Sequence, residues 1–198
     1  MNNKDTLYIV SGYMRSGTSM MMRALEAGGM ETVSRESREE FRRKFSDDKY
    51  DPNEGGLFEL SQEDLKAADF PQKFKGKLIK CLVGGPLFKM CVMPQIKIIF
   101  MRRDPEEIRQ SFQAFFNQSM FIPEKSFTDY MEKVVAVLRN RRDTEVVVLN
   151  YREVVENPVK YFAELKEQGW PIDPEKSALV VNPKLHRFRK ENITPGII

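Results

Sequence analysis

The sequence predicts an α/β fold, a three-layer sandwich on a mostly parallel sheet of about five strands, and three observations predict it. Short apolar runs at 7–10 (LYIV), 96–101 (IKIIFM) and 145–149 (EVVVL) have the length and content of strands buried on both faces. The first two pass directly into turn residues and then a helical stretch, the alternation that lays strands side by side in parallel. The 198 residues are long enough for one domain with helices on both faces of such a sheet.

The first junction is the most informative. After residues 7–10 come Gly12 and Gly17, with hydroxyls at Ser16, Thr18 and Ser19, and then a breaker-free helical stretch at 20–27. Strand, glycine loop and helix in that order form an anion cradle: the helix start offers unpaired N–H groups, and the glycines let the backbone approach an oxyanion. The spacing matches the G-x-x-x-x-G frame of the nucleotide-binding P-loop, but Thr18 stands where the frame requires Lys. Arg15 offers a substitute cation. A phosphosulfate suits such a loop, because its sulfuryl end carries less charge than a terminal phosphate. The same glycine pair also suits plain packing punctuation.

Residues 13–19, YMRSGTS, resemble the 5′-phosphosulfate loop, [K/R]-S-G-T-[T/S], of sulfotransferases that use 3′-phosphoadenosine 5′-phosphosulfate (PAPS). The resemblance implies a P-loop-type sandwich. It implies that Arg15, Ser16, Gly17, Thr18 and Ser19 bind the cofactor, with Thr18 and Ser19 on the 5′-phosphate.

Further along, Gly28 and Gly29 end the first helix, and residues 30–33 suit a short strand. Residues 35–49 are densely charged, with Phe41 and Phe45 four apart. Two readings stand: a solvated helix with a narrow apolar stripe, or a basic rim of Arg35, Arg38, Arg42 and Arg43 that draws in an acidic acceptor. Residues 51–59, DPNEGGLFE, form a loop and place Glu59 near a helix start, whose dipole it would complement. The segment is similar to N-P-x-G-[YF]-[YF]-E of a bacterial sulfotransferase-like group, with Glu54 in place of the motif's proline. That makes Glu59 the candidate general base.

Residues 77–83, KLIKCLV, read as another strand, turned by Gly84, Gly85 and Pro86. Many cytosolic sulfotransferases carry K-[T/S]-H here, with the histidine as base. Lys80 fits the lysine, but Leu82 falls where the histidine would be. A base must then come from elsewhere, or the chain is not a sulfotransferase.

The strand at 96–101 runs into R-R-D-P-E-E-I-R-Q-S at 102–111. Asp104 suits a helix cap, Pro105 its first turn, and Glu106 and Glu107 the positive end of its dipole. Arg103 stands at the carboxyl end of the strand, where open α/β sheets bind ligands, and Ser111 lies two helical turns on. The stretch meets every fixed position of R-[N/D]-P-x-[D/E]-x-x-x-S, the sulfotransferase signature for the 3′-phosphate. The plainer reading is a cap-region ion pair at Arg103 and a surface serine at Ser111.

Residues 126–142 form an amphipathic helix, whose last arginines, Arg139, Arg141 and Arg142, complement its dipole. Residues 150–158 are similar to the Y-E-D-L-x-x-x-P segment of the family, with a structural role. A last helix runs from 158 to about 168, closed by Gly169. From about 183 the tail is basic and aromatic. The resemblance extends to Arg187 and Arg189 as nucleotide contacts, because larger sulfotransferases close a basic C-terminal loop over the cofactor; their R-K-G-x-x-G sequence is absent. His186, the sole histidine, reads as a surface residue.

Composition narrows the class. Hydrophobic residues make up 41% and charged residues 31%, and 32 Lys and Arg against 29 Asp and Glu give a net charge of +3. That is ordinary for a globular protein and too mild for nucleic-acid binding. Cys81 and Cys91 make no disulfide framework and suit a reduced compartment, and their count with one histidine offers no metal site. No signal peptide opens the chain, and no apolar run approaches the roughly 20 residues of a membrane span. The expectation is a cytoplasmic, single-domain protein, compatible with a homodimer, using PAPS and yielding 3′-phosphoadenosine 5′-phosphate (PAP), without a metal. Its acceptor would be a small molecule, carbohydrate or lipid bearing a hydroxyl or amine. Arg15 and Lys80 would stabilise charge on the leaving phosphate, with Glu59 as base. Two other classes stand beside it: a small P-loop kinase, and a non-catalytic nucleotide-binding or interaction protein of the same fold.

Overall fold

The structure, a computed structural model, describes residues 3–33, 59–60, 64, 67–70, 72–83, 95–120 and 123–186. Outside them lie the basic rim of Arg35, Arg38, Arg42 and Arg43, the Phe41–Phe45 stripe, most of the 51–59 loop, the 84–86 turn, Cys91, Arg187 and Arg189.

The fold is α/β. Four strands are described: β1 (Thr6–Gly12), β2 (Leu78–Lys80), β3 (Gln95–Arg102) and β4 (Thr144–Asn150). All pair in parallel, in the order β2-β1-β3-β4. Among the described residues the helices are α1 (Thr18–Ala27), α2 (Pro105–Phe116), α3 (Glu124–Arg139), α4 (Tyr151–Glu156), α5 (Pro158–Glu167) and α6 (Pro174–Leu179).

Strand periodicity sorts the core into two layers of contact. Tyr8 and Val10 face one way with Ile99 and Met101, where Met21, Met22 and Leu25 of α1, Val154 of α4 and Phe162 and Leu165 of α5 cover them. Leu7 and Ile9 face the other way with Ile96, Ile98 and Phe100, under Met131, Val134, Val135 and Leu138 of α3. A strand's two-residue repeat feeds both faces, so a continuous apolar run is what a sheet sandwiched between helices requires.

Three expectations change. The fifth strand, at 30–33, reduces to one bridge, Thr32 to Leu78. Leu78 takes both hydrogen bonds there, donating to Glu31 O at 2.8 Å and accepting from Val33 N at 2.9 Å, and among the described residues no ladder extends it. The helix at 158 is not the last: α6 follows, started by Asp173, whose side chain accepts from the N–H groups of Glu175 and Lys176. His186 is not on the surface. It follows a short 3-10 turn and is 4% exposed, because its ring packs edge-on to Tyr151 and its Nε2 meets a buried carboxylate.

The sheet order locates the site. The chain leaves β1 through α1 on one face and leaves β3 through α2 toward α3 on the other. The carboxyl ends of β1 and β3, adjacent through the pairing of Gly12 with Met101, therefore flank a topological switch point, where open parallel sheets hold ligands.

Candidate functional site

At the end of β1 the chain must turn without leaving the crevice. Gly12 has φ +143°, and a Cβ there would lie 2.6 Å from Met101 O and 2.6 Å from Ser16 Oγ. Ser16 closes the loop on itself: its N–H and its hydroxyl both donate to Tyr13 O, at 3.2 and 2.7 Å. Gly17, at φ +96°, stands at the N-cap of α1, where Met21 N–H donates to its carbonyl at 3.1 Å. No side chain caps α1, so the first N–H groups of that helix keep their donor capacity for an anion.

Arg15 lies between the glycines with φ +67°, in the left-handed region where a side chain costs about 1–2 kcal/mol. Its surroundings hold it there. Arg103 Nη1 donates to Arg15 O at 3.2 Å, Arg15 Nε donates to Ser111 Oγ at 3.1 Å, and the Arg15 guanidinium stacks 4.8 Å from the centroid of Phe115.

Arg103 is positioned by the start of α2. Asp104 caps the helix, its carboxylate accepting from the N–H groups of Glu106 and Glu107, and Pro105 opens the first turn. Glu107 then faces back, accepting from Arg103 Nε at 2.9 Å. The pair is buried, with side chains 7% and 3% exposed. Tyr151, the first residue of α4, lies under the guanidinium with its ring 4.5 Å from Arg103 Cζ. The same ring closes on the loop: a Cβ on Gly17 would come within 2.2 Å of Tyr151 Cδ2. Ser111, 1% exposed, is not the surface serine of the plainer reading, because α2 turns it inward to Arg15.

On the other side of β1, Lys80 ends β2 and is 3% exposed. Its ammonium donates to Ser19 Oγ at 3.1 Å and pairs with Glu59 Oε1 at 3.2 Å. Burial lowers its pKa, Glu59 counters that shift, and the Arg15 charge adds to it. Glu59 is 39% exposed at its side chain. Beyond Lys80 the chain continues to bond β1 at its end, Cys81 N to Val10 O and Val83 N to Gly12 O, each at 3.1 Å. Leu82 lies between them. The Cys81 thiol, buried in the apolar layer, is pushed up to about 12 and stays a thiol.

Arg15, Ser16, Gly17, Thr18, Ser19, Lys80, Glu59, Arg103 and Ser111 therefore gather around the carboxyl ends of three strands. Beside them an open cleft lies between β3, α2 and α3, lined in part by Tyr13, Ser16, Met101, Arg103, Phe127 and Met131. Phe115 lies outside every motif, and for Glu107 and Tyr151, which fall inside two of them, the motifs do not assign the contacts seen with Arg103. Glu107 carries a further local signal, an acid four residues after Arg103 at the start of a helix. Among the described residues, no three His, Cys, Asp or Glu side chains are grouped to hold a metal, and no helix is long and apolar enough to cross a membrane.

No protein-family model matches the chain, and no curated protein matches it. Among solved structures it is similar to a sugar kinase from Janibacter sp. HTCC2649, crystallised without ligand, at 14% identity and a TM-score of 0.37, over 90% of this chain and 96% of that one. A likeness at that score carries no argument about activity.

Proposed function

We propose that the chain transfers a sulfuryl group from PAPS to a hydroxyl or amine acceptor. One observation carries the reading. The residues that resemble the 5′-phosphosulfate loop and those that resemble the 3′-phosphate signature, remote in sequence, touch each other: Arg15 bonds Ser111, and Arg103 bonds the Arg15 carbonyl. Two phosphates on one nucleoside require two adjacent anion sites.

The residues fit such a ligand. The loop supplies hydroxyls at 16, 18 and 19 and the uncapped N–H groups of α1, and cations approach from three strand ends as Arg15, Lys80 and Arg103. Ser16, Gly17, Thr18 and Ser19 would hold the 5′-phosphate, with Arg103 and Ser111 on the 3′-phosphate. When bound, PAPS supplies the activated sulfuryl group, whose sulfur–oxygen bond to the 5′-phosphate breaks as the acceptor forms the new one. Lys80 and Arg15 would stabilise the charge left on that phosphate, with no reorganisation at the moment of reaction. Glu59, solvent-accessible beside Lys80, would take the acceptor's proton. The cleft borders the site at Tyr13 and Ser16 and offers the acceptor apolar walls with a polar rim, Arg102 and Glu132 paired at 2.7 Å.

A non-catalytic nucleotide-binding role is the second reading, favoured by Leu82 in place of the usual histidine. A thermal-shift titration with PAP, ATP–Mg²⁺ and ADP tests the first. PAP at about 100 times its dissociation constant should add roughly 2.7 kcal/mol of stability, and ATP–Mg²⁺ far less. Equal or greater stabilisation by ATP–Mg²⁺ would favour a kinase. PAP binding without turnover of labelled PAPS across a panel of sugars, phenols and lipids would favour the non-catalytic role.

A further inference from the structure

We infer that His186 is a positioning residue for Arg103, holding from the C-terminal side two of the groups that fix the Arg103 guanidinium; this rests on the reading of Arg103 as the 3′-phosphate ligand. Arg103 is held by a carboxylate at its edge and an aromatic ring at its face, Glu107 at 2.9 Å and Tyr151 at 4.5 Å. His186 touches both. Its Nε2 lies 3.0 Å from Glu107 Oε2, the oxygen that accepts from Arg103, and its ring stands edge-on to Tyr151 with centroids 5.0 Å apart.

The chemistry gives His186 a defined part. A carboxylate only accepts, so the hydrogen of that contact is carried by Nε2. Glu107 then has a neutral or cationic N–H on one side of its Oε2 and Arg103 on the other. Donors on both sides fix the rotamer of such a buried acid, 3% exposed. Tyr151 is confined likewise, between Gly17, whose missing Cβ leaves it room, and the imidazole edge. A residue filling space alone needs no donor. His186 Nδ1 is buried and, among the described residues, has no hydrogen-bond partner, a cost a hydrophobic ring would avoid. What the imidazole gains over a hydrophobic ring is the Nε2 contact to Glu107.

The test separates donor from filler. His186→Phe keeps a ring against Tyr151 and removes the N–H; His186→Gln returns an N–H donor at similar reach. The first readout needs no ligand: the Nε–H resonance of Arg103 in ¹⁵N-labelled protein, assigned by its loss in Arg103→Lys. Its hydrogen exchange should accelerate at least about tenfold in His186→Phe, the equivalent of about 1.4 kcal/mol in opening, and stay near the wild-type rate in His186→Gln. The second is the ratio of PAP to AMP affinity, which should fall about tenfold in His186→Phe with AMP unchanged, and recover in His186→Gln. Unchanged exchange in a folded His186→Phe protein, or equal losses in the two variants, overturns the inference. If the wild-type protein shows no preference for PAP over AMP, the assignment of Arg103 to a 3′-phosphate fails, and the exchange readout still decides what His186 holds. Should His186→Phe not fold, His186→Met, which also removes the N–H and leaves Glu107 and Arg103 intact, carries the same expectation for the Arg103 resonance.

Discussion

Arg15 Nε donates to Ser111 Oγ at 3.1 Å, linking a loop after the first strand to the second turn of a helix far along the chain. The hydroxyl spends a lone pair on that bond and keeps its own proton to give. Arg15 and Ser111 thus present one positive charge and one O–H donor on the same side of the crevice. The left-handed backbone of Arg15 is what aims its side chain there.

Arg103→Ala is expected to weaken PAP by on the order of 1.5–3 kcal/mol, the value of a charge-assisted contact, and to leave AMP affinity nearly unchanged. The same change removes a partner from buried Glu107 and should destabilise the fold by roughly 3–5 kcal/mol. Arg103→Ala combined with Glu107→Gln should recover much of that stability and none of the affinity. Isothermal titration and urea denaturation measure the two effects. Parallel losses for AMP and PAP would make Arg103 structural.

Glu59→Gln should retain PAP binding and lose about 10²–10⁴ in sulfuryl transfer, the range for a missing proton acceptor. Steady-state turnover with labelled PAPS and an acceptor found by screening reads this out. Undiminished turnover removes Glu59 from the mechanism. It would then serve Lys80 alone.

The buried Lys80 makes a pH prediction. Its pKa is lowered in the fold, chiefly by burial, so between that value and the ordinary 10.5 the unfolded chain binds the extra proton. Stability therefore rises with pH over that window. The penalty is fully present below the lowered pKa and disappears as pH climbs past 10.5. Relative to Lys80→Met, the wild-type protein should gain stability from pH 7 to pH 10 in denaturant titrations. A constant difference would show that Glu59 and Ser19 offset burial completely.

Gly17→Ala should cost about 1–3 kcal/mol from its positive φ alone, and more from the Tyr151 ring its methyl would meet at 2.2 Å. Gly17→Ala with Tyr151→Ala should relieve the collision and leave the backbone cost. If the double variant is no more stable than the sum of the single losses, the ring does not close on the loop.

Much of the fold was legible because strands buried on both faces leave apolar runs, and Asp104-Pro105 marks a helix start by local chemistry. The cofactor-loop candidates and the Arg103–Ser111 pair were legible for the same reason: each is a short motif at a strand-to-helix junction. What the sequence hid depends on tertiary contact. Tyr151 reads only as part of a structural segment until its ring is found between Gly17 and Arg103. His186 reads as a tail residue until the chain folds back against Glu107. Residues 30–33 have strand-like content, but β2 offers only Leu78 for them to bond.

The strand order has a consequence for biosynthesis. β1 is made first and ends up inside the sheet, between two partners made later. Thr6 must wait for Gln95, and Val10 for Lys80. At about 5–20 residues per second, a ribosome takes on the order of ten seconds to deliver both. Throughout that interval LYIV has two unpaired edges, the condition under which nascent chains pair with one another or with a chaperone. The order in which the described strands are made thus keeps β1 unpaired until residues 78–80 and 95–102 have followed it, before any site exists.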